Sequence, residues 1–148
     1  MYKFGKRSIN ELSTCHIDLI TVANESIKDS PYDFGIIHGH RTLEHQFNIY
    51  KKGREYIDGK WVIINKLKVV SYADGYVKKS KHNYNPSEAF DIGVFVNGKL
   101  TWAKSVYVEA GLHIMEKAEE LYINDKISNK LFWGGHFKKL KDWGHFQI

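Results

Sequence analysis

The chain has 148 residues, of which 43% are hydrophobic and 14% aromatic, enough apolar surface to offset the entropy of ordering a domain and to exclude global disorder. The single cysteine, Cys15, excludes an intrachain disulfide framework and any metal site built from several thiolates, so a bound metal must rest on His and carboxylate. Lys and Arg number 22 against 17 Asp and Glu, a formal charge of +5, which favours a polyanionic partner: nucleic acid, anionic lipid or an acidic wall polymer.

No repeat, low-complexity run or Pro/Gly/Ser-rich linker divides the chain, which is read as one domain over residues 1–148. Ser8 and Glu11 have capping-box spacing, and Leu12, His16, Leu19 and Ile20 recur with helical period. Residues 8–29 are therefore expected to form one or two helices broken near Ser13-Thr14 and stopped by Asp29-Ser30-Pro31. Phe34 to His38 reads as a short strand. Thr42 to Lys52 reads as a helix burying Leu43, Phe47 and Tyr50 and ended by Gly53, which puts Arg41 at a strand-to-helix turn. Trp61 to Ile64 fits a strand after the Asp58-Gly59 turn, whereas Lys66 to Lys79 shows no period. Phe90 to Val96, Asn97-Gly98 and Lys99 to Trp102 form the clearest signal, a hairpin whose dipeptide suits a type I′ turn. Asp91, Gly93 and Phe95 then share one face. Ser105 to about Tyr122 reads as a long helix burying Val108, Leu112, Met115 and Leu121, and two short strands, Phe132 to Phe137 and Gly144 to Ile148, finish the chain. With too little strict alternation of strand and helix for a doubly wound sheet, the expected class is α+β, a central antiparallel sheet with flanking helices.

Eight histidines are present, and their placement matters more than their number. His82 opens a polar loop, Asp91 begins the hairpin strand, and Asp142 and His145 stand at the start of the last strand. A catalytic zinc takes three ligands from His and Asp/Glu and keeps a fourth position for water, and His82, Asp91 and His145 would make such a set. Asp142, three residues before His145, is a candidate base for that water. Each has a plainer reading too: a hydrogen-bonded histidine for His82 or His145, and a turn residue for Asp142. Asp91, between Phe90 and Ile92, is the most informative, since a carboxylate in an apolar strand must be paired, hydrogen-bonded or ligated. His38 and His40 read as pocket or packing residues, and His45 as a solvated or supporting group near Arg41. Cys15 and His16 fall on different helical faces, so they make no nucleophile pair. Zincin, phosphate-loop and nucleophile-elbow patterns are absent.

At these residues the sequence resembles the zinc peptidase family of D-alanyl-D-alanine carboxypeptidases and L-alanyl-D-glutamate endopeptidases, most closely its bacteriophage endolysin branch. Four blocks carry the resemblance in the family's order: Phe4 to Leu12 with His16 to Leu19; Gly39 to Gln46 with Tyr50 and Gly53; Ser80 to His82 with Ser87 to Ile92; and Asp142 to Phe146. It implies a hedgehog/DD-peptidase-like fold, one zinc per chain on His82, Asp91 and His145, Asp142 as catalytic base, and Arg41 as the oxyanion's partner. Ser80 and Gln46 match positions near the pocket and are assigned to substrate binding or loop support. Asn83 to Ser87 makes a longer, proline-containing loop than the commoner family pattern, which bears on pocket shape and on the bond cleaved.

The resemblance implies hydrolysis of the peptidoglycan stem peptide, at the L-alanyl-D-glutamate bond, with the wall as partner and neither nucleic acid nor membrane insertion involved. A D-alanyl-D-alanine carboxypeptidase or dipeptidase on the same zinc site is the alternative enzyme, and a basic wall- or nucleic-acid-binding module the non-enzymatic one. No signal-peptide pattern opens the sequence. The expectation is therefore a monomer that accumulates in the cytoplasm of a bacterial host, has no separate wall-binding domain, and reaches the wall through a lesion made by another protein.

Overall fold

Side chains that compete with the helical backbone explain how the chain starts. The computed structural model, which describes residues 1–148, has helix α1 at Lys6–Leu12 and helix α2 at Ile17–Ser26. Between them the Ser13 and Thr14 hydroxyls donate back to the carbonyls of Asn10 and Glu11, both at 2.6 Å. His16 Nδ1 then caps α2 by accepting from the Asp18 amide at 3.1 Å. The break near Ser13-Thr14 is where the sequence places it, but Ser8 and Glu11 do not cap a helix. Both lie inside α1 and accept from backbone amides of the neighbouring strand segment, Ser8 Oγ from Ile36 at 3.0 Å and Glu11 Oε2 from Gly39 at 2.9 Å. The capping-box spacing instead ties α1 to the sheet.

The remaining elements are β1 (Asp33–His38), α3 (Leu43–Tyr50), β2 (Arg54–Ile57), β3 (Lys60–Ile63), β4 (Ala89–Val96), β5 (Lys99–Thr101), α4 (Lys104–Ile123), β6 (Phe132–Trp133) and β7 (His145–Gln147). The fold is α+β. The main sheet runs β1-β4-β7-β6 with β5 also on β4, every pairing antiparallel. β4 is its axis: β1 lines one edge, while β7 and β5 share the other, β7 along Ala89–Asp91 and β5 along Val94–Val96. The β4-β5 turn forms as expected, with Asn97 and Gly98 both at positive φ, 51° and 73°. The second predicted final strand shrinks to β7, and the first to the two residues of β6, because Gly134–His136 coils into a 3-10 turn.

The core lies between one face of this sheet and helices α1, α2 and α4, with Leu19, Phe34, Ile36, Phe90, Ile92, Ile114 and Phe146 almost wholly enclosed. The inward face of α4 differs from the expected one. Tyr107, Ala110, Gly111, Ile114 and Ala118 are buried, whereas Leu112 is exposed and Val108, Met115 and Leu121 are only partly covered. Small residues face in because the Trp133 ring packs closely against the helix: a Cβ on Gly111 would collide with it. In α3, likewise, only Gln46 is buried, and Leu43, Phe47 and Tyr50 are half-covered. That helix packs beside the separate β2-β3 hairpin, where Phe47 meets Trp61 edge-on. No helix is long and apolar enough to cross a membrane.

Candidate metal centre

Register across three adjacent strands assembles the site. On β4, Asp91 stands opposite His38 of β1 and His145 of β7, so one cross-strand row holds all three. The register slips between Ile36 and His38, a bulge that brings His38 rather than Ile37 opposite Asp91. His82 comes from outside the sheet, on a 3-10 turn at Lys81–Asn83. Ser80 caps that turn and Asn83 bonds back to the Ser80 amide at 2.9 Å. The Arg41 amide fixes its height by donating to the His82 carbonyl at 2.8 Å.

Three donor atoms converge. His82 Nε2 lies 3.2 Å from Asp91 Oδ1 and 3.3 Å from His145 Nδ1, and His145 Nδ1 lies 3.0 Å from the same carboxylate oxygen. Zinc bonds of about 2.0–2.1 Å in a tetrahedron require donor-to-donor edges of about 3.3 Å, and these three edges meet that requirement. The outer nitrogens set the tautomers: His82 Nδ1 donates to the Gly39 carbonyl at 2.7 Å, and His145 Nε2 to Gln147 Oε1 at 2.8 Å. Both inner nitrogens then face each other and the Asp91 carboxylate, across a gap that either a bound metal ion or a proton shared with Asp91 bridges. His82, Asp91 and His145 therefore form a triad with the geometry to hold one metal ion, with His82 only 1% exposed.

The charges around the triad reinforce one another. Burial works to raise the Asp91 pKa, but hydrogen bonds from His145, His38 and His82, with the charge of His82, hold it well below the carboxylate norm. For His145, burial opposes protonation, and the bond to Asp91 and its charge overcome that and raise the pKa. The far oxygen of Asp91 is held by Arg41 Nη2 at 3.2 Å and lies 3.5 Å from His38 Nδ1. His38 is thus part of the site, the pocket half of the pocket-or-packing role that the sequence suggests. Gln147 also went unnoticed; the one signal for it is the period of two that puts it on the same strand face as His145.

The other candidates take different positions. Arg41 lines the cleft, gives Nη1 to Gln46 Oε1 at 2.9 Å, and has a buried Nε without a partner. Gln46 is not a substrate contact: it is fully buried, and its amide donates to Ser71 Oγ and the Ala73 carbonyl at 3.0 and 2.8 Å. With both ends of its amide committed inside the protein, it positions Arg41. Ser80 lines the cleft and caps the His82 turn, its Oγ accepting from the His82 amide at 3.3 Å. Asp142 lines the same cleft as the triad, in the turn that leads into β7, with its carbonyl accepting from the His145 amide at 3.2 Å. The residue is exposed, yet desolvation at the wall and then the charge of Asp91 raise its carboxyl pKa. Cys15 takes no part: it is buried, and burial pushes its thiol up to about 11.

Comparison with known proteins identifies the family and the fold. The chain is 30% identical to the L-alanyl-D-glutamate peptidase of Escherichia phage T5, over 91% of this chain and 96% of that one. The solved structure of the Serratia marcescens L-Ala D-Glu endopeptidase ChiX has the same fold, with a TM-score of 0.72 at 22% identity, covering 99% of this chain and 90% of that one. The family model described as phage L-alanyl-D-glutamate peptidase matches residues 1–145, a span that takes in Arg41, the whole triad and Asp142. On that match the chain belongs to the phage L-alanyl-D-glutamate peptidase family.

Proposed function

We propose that this protein is a zinc-dependent peptidoglycan hydrolase that cleaves the stem peptide at the L-alanyl-D-glutamate bond, with one zinc per chain held by His82, Asp91 and His145. The observation that carries the metal is the convergence of three lone-pair donors whose outer nitrogens are already committed to Gly39 and Gln147. Family membership supports the bond. All three donors come from one chain, so a monomer suffices.

Zinc at the triad would supply a Lewis acid that acidifies a water and polarises the scissile carbonyl. The protein's own groups do the rest. Asp142, ionised and raised in basicity by its setting, takes the proton of the attacking water on its carboxylate and passes it to the leaving amine. Arg41 keeps two Nη hydrogens beyond those given to Gln46 and Asp91, and these stabilise the negative oxygen of the tetrahedral intermediate. Gln46 holds the guanidinium in place, and Asp91 keeps its charge close to the reacting atoms. The enzyme acts on the wall of a bacterial host after release from the cytoplasm, and its positive charge favours that acidic polymer.

The test is mass spectrometry of purified muropeptides incubated with the protein as purified, after chelation, and after zinc is restored. A zinc-dependent product beginning at D-Glu is expected. Loss of terminal D-Ala alone moves the assignment to a carboxypeptidase, and no cleavage by folded, zinc-loaded protein overturns the hydrolase reading.

A further inference from the structure

Two cavities meet at Asp91 of the triad. One measures about 830 Å³ and the other about 360 Å³, and they share His38, Asp91, Trp102 and Asp142. The larger is lined by Lys52, Lys78, Lys79, Lys81 and Lys139, and its only carboxylates are Asp91 and Asp142 of the centre itself. Lys81 is bound to Glu88 at 2.8 Å, whereas Lys52, Lys78, Lys79 and Lys139 face no carboxylate within ion-pair distance. The backbone that carries Lys78 is held in place, because Asp74 Oδ1 accepts from the amides of Tyr76, Val77 and Lys78 at 2.9, 2.9 and 3.0 Å. The smaller cavity is walled by Ile37, Ile92, Trp102, Tyr107 and Trp143. Its two lysines, Lys104 and Lys141, lie 4.7 and 5.5 Å from the centre of the Trp143 ring, and Lys79 of the larger cavity lies 5.6 Å from that of Tyr84, so cation–π contacts occur in both and the difference between them is in lysine number.

A substrate that spans both cavities therefore meets aromatic surface in each, but a larger excess of lysine over carboxylate in the larger one. The L-alanyl-D-glutamate bond separates halves that differ in the same way. The D-Glu half carries free carboxylates, whereas the L-Ala half is uncharged and amide-linked to the muramic sugar. We propose that the lysine-lined cavity is the subsite for the carboxylates of the D-Glu half, so that Lys78, Lys79 and Lys139 fix the direction in which the stem peptide binds. This assignment rests on the hydrolase reading above. Long-range attraction between several lysines and a multiply charged peptide also aligns it before contact, an effect that salt screens.

The test compares the zinc-loaded wild type with the combined variant Lys78→Gln, Lys79→Gln, Lys139→Gln on two peptides. One is acetyl-L-Ala-D-Glu linked through its γ-carboxyl to meso-diaminopimelate, and the other is the same peptide with its free carboxylates amidated. These lysines are exposed, so thermal unfolding should be unchanged. For the acid peptide the variant should raise KM about tenfold with kcat nearly unchanged, the summed effect of several exposed ion pairs; for the amidated peptide the two proteins should match. Equal losses on both peptides, or none on either, overturn the subsite. So does an equal loss from Lys126→Gln, an exposed lysine outside both cavities, since that would report net charge alone. Calorimetric titration with the γ-linked D-Glu-diaminopimelate dipeptide decides the matter without turnover. Binding about tenfold weaker in the variant supports the subsite, and binding that is absent or independent of the lysines overturns it. Should the wild type cleave neither peptide, the hydrolase reading fails while this titration still decides the subsite.

Discussion

Asp91 is a carboxylate in an apolar strand, and four side chains keep it charged there: His82 and His145 on one oxygen, Arg41 and His38 on the other. The assigned roles separate in mutants. Asp142→Ala should keep about one zinc per chain by elemental analysis while turnover falls roughly 10²–10⁴-fold, the usual contribution of a positioned base; His82→Ala or His145→Ala should lose metal and turnover together. Normal turnover by Asp142→Ala would remove its role. Gln147→Ala frees the outer nitrogen of His145, and a competitive chelator titration should show zinc affinity about 10–100-fold weaker, as when such supporting partners are lost elsewhere.

At the scale of elements, much of the order rests on polar side chains that reach across the chain. Asp18 at the start of α2 is buried and accepts from the Ser128 and Asn129 amides and from Asn129 Nδ2, at 3.0, 2.9 and 2.8 Å. It pins the segment that follows α4. Asp18→Ala leaves those donors unpaired and should cost about 2–3 kcal/mol in denaturant unfolding. The Asp74 loop carries a pH dependence. Burial works to raise the Asp74 pKa, but its bonds from the Lys78, Tyr76 and Val77 amides outweigh that and hold it below the ordinary 3.8. Its contribution is therefore present above pH 3.8 and disappears as pH falls through the lower folded value. Once corrected for intrinsic rates, hydrogen exchange should show the Tyr76, Val77 and Lys78 amides losing protection on acidification through that range. Retained protection would mean that the carboxylate does not order the loop.

For the whole molecule, the triad draws on β4, β7 and the His82 turn, which are far apart in the chain and are joined only in the folded state. Metal bound there stabilises that state by mass action, about 2.7 kcal/mol when zinc is at a hundred times its Kd. Chelation should then lower the midpoint of thermal unfolding by roughly 5–10 °C for a chain of this length, and zinc should restore it. A midpoint that ignores chelation would argue against a metal resident at the triad. Gly111 tests the packing that closes the same end of the fold. Gly111→Ala drives a methyl group into Trp133 and should destabilise the protein by about 1–3 kcal/mol through overpacking.

Local rules made part of this protein legible in its sequence. Asn97-Gly98 specifies its turn because few residues accept two successive positive φ angles. Ser13-Thr14 breaks the helix because their hydroxyls compete for nearby carbonyls. His82, Asp91 and His145 could be picked out as polar residues beside apolar strands, and the four ordered blocks pointed to the family. What the sequence could not reveal was set by contacts between distant segments. The bulge that brings His38 to Asp91, the burial of Gln46 behind Arg41, and the small-residue face of α4 under Trp133 depend on partners far away in sequence. Periodicity reports which face of an element is apolar. It does not report what meets that face, so strand register and tertiary packing alone brought three donor atoms within 4.8 Å of one another and opened two cavities beside them.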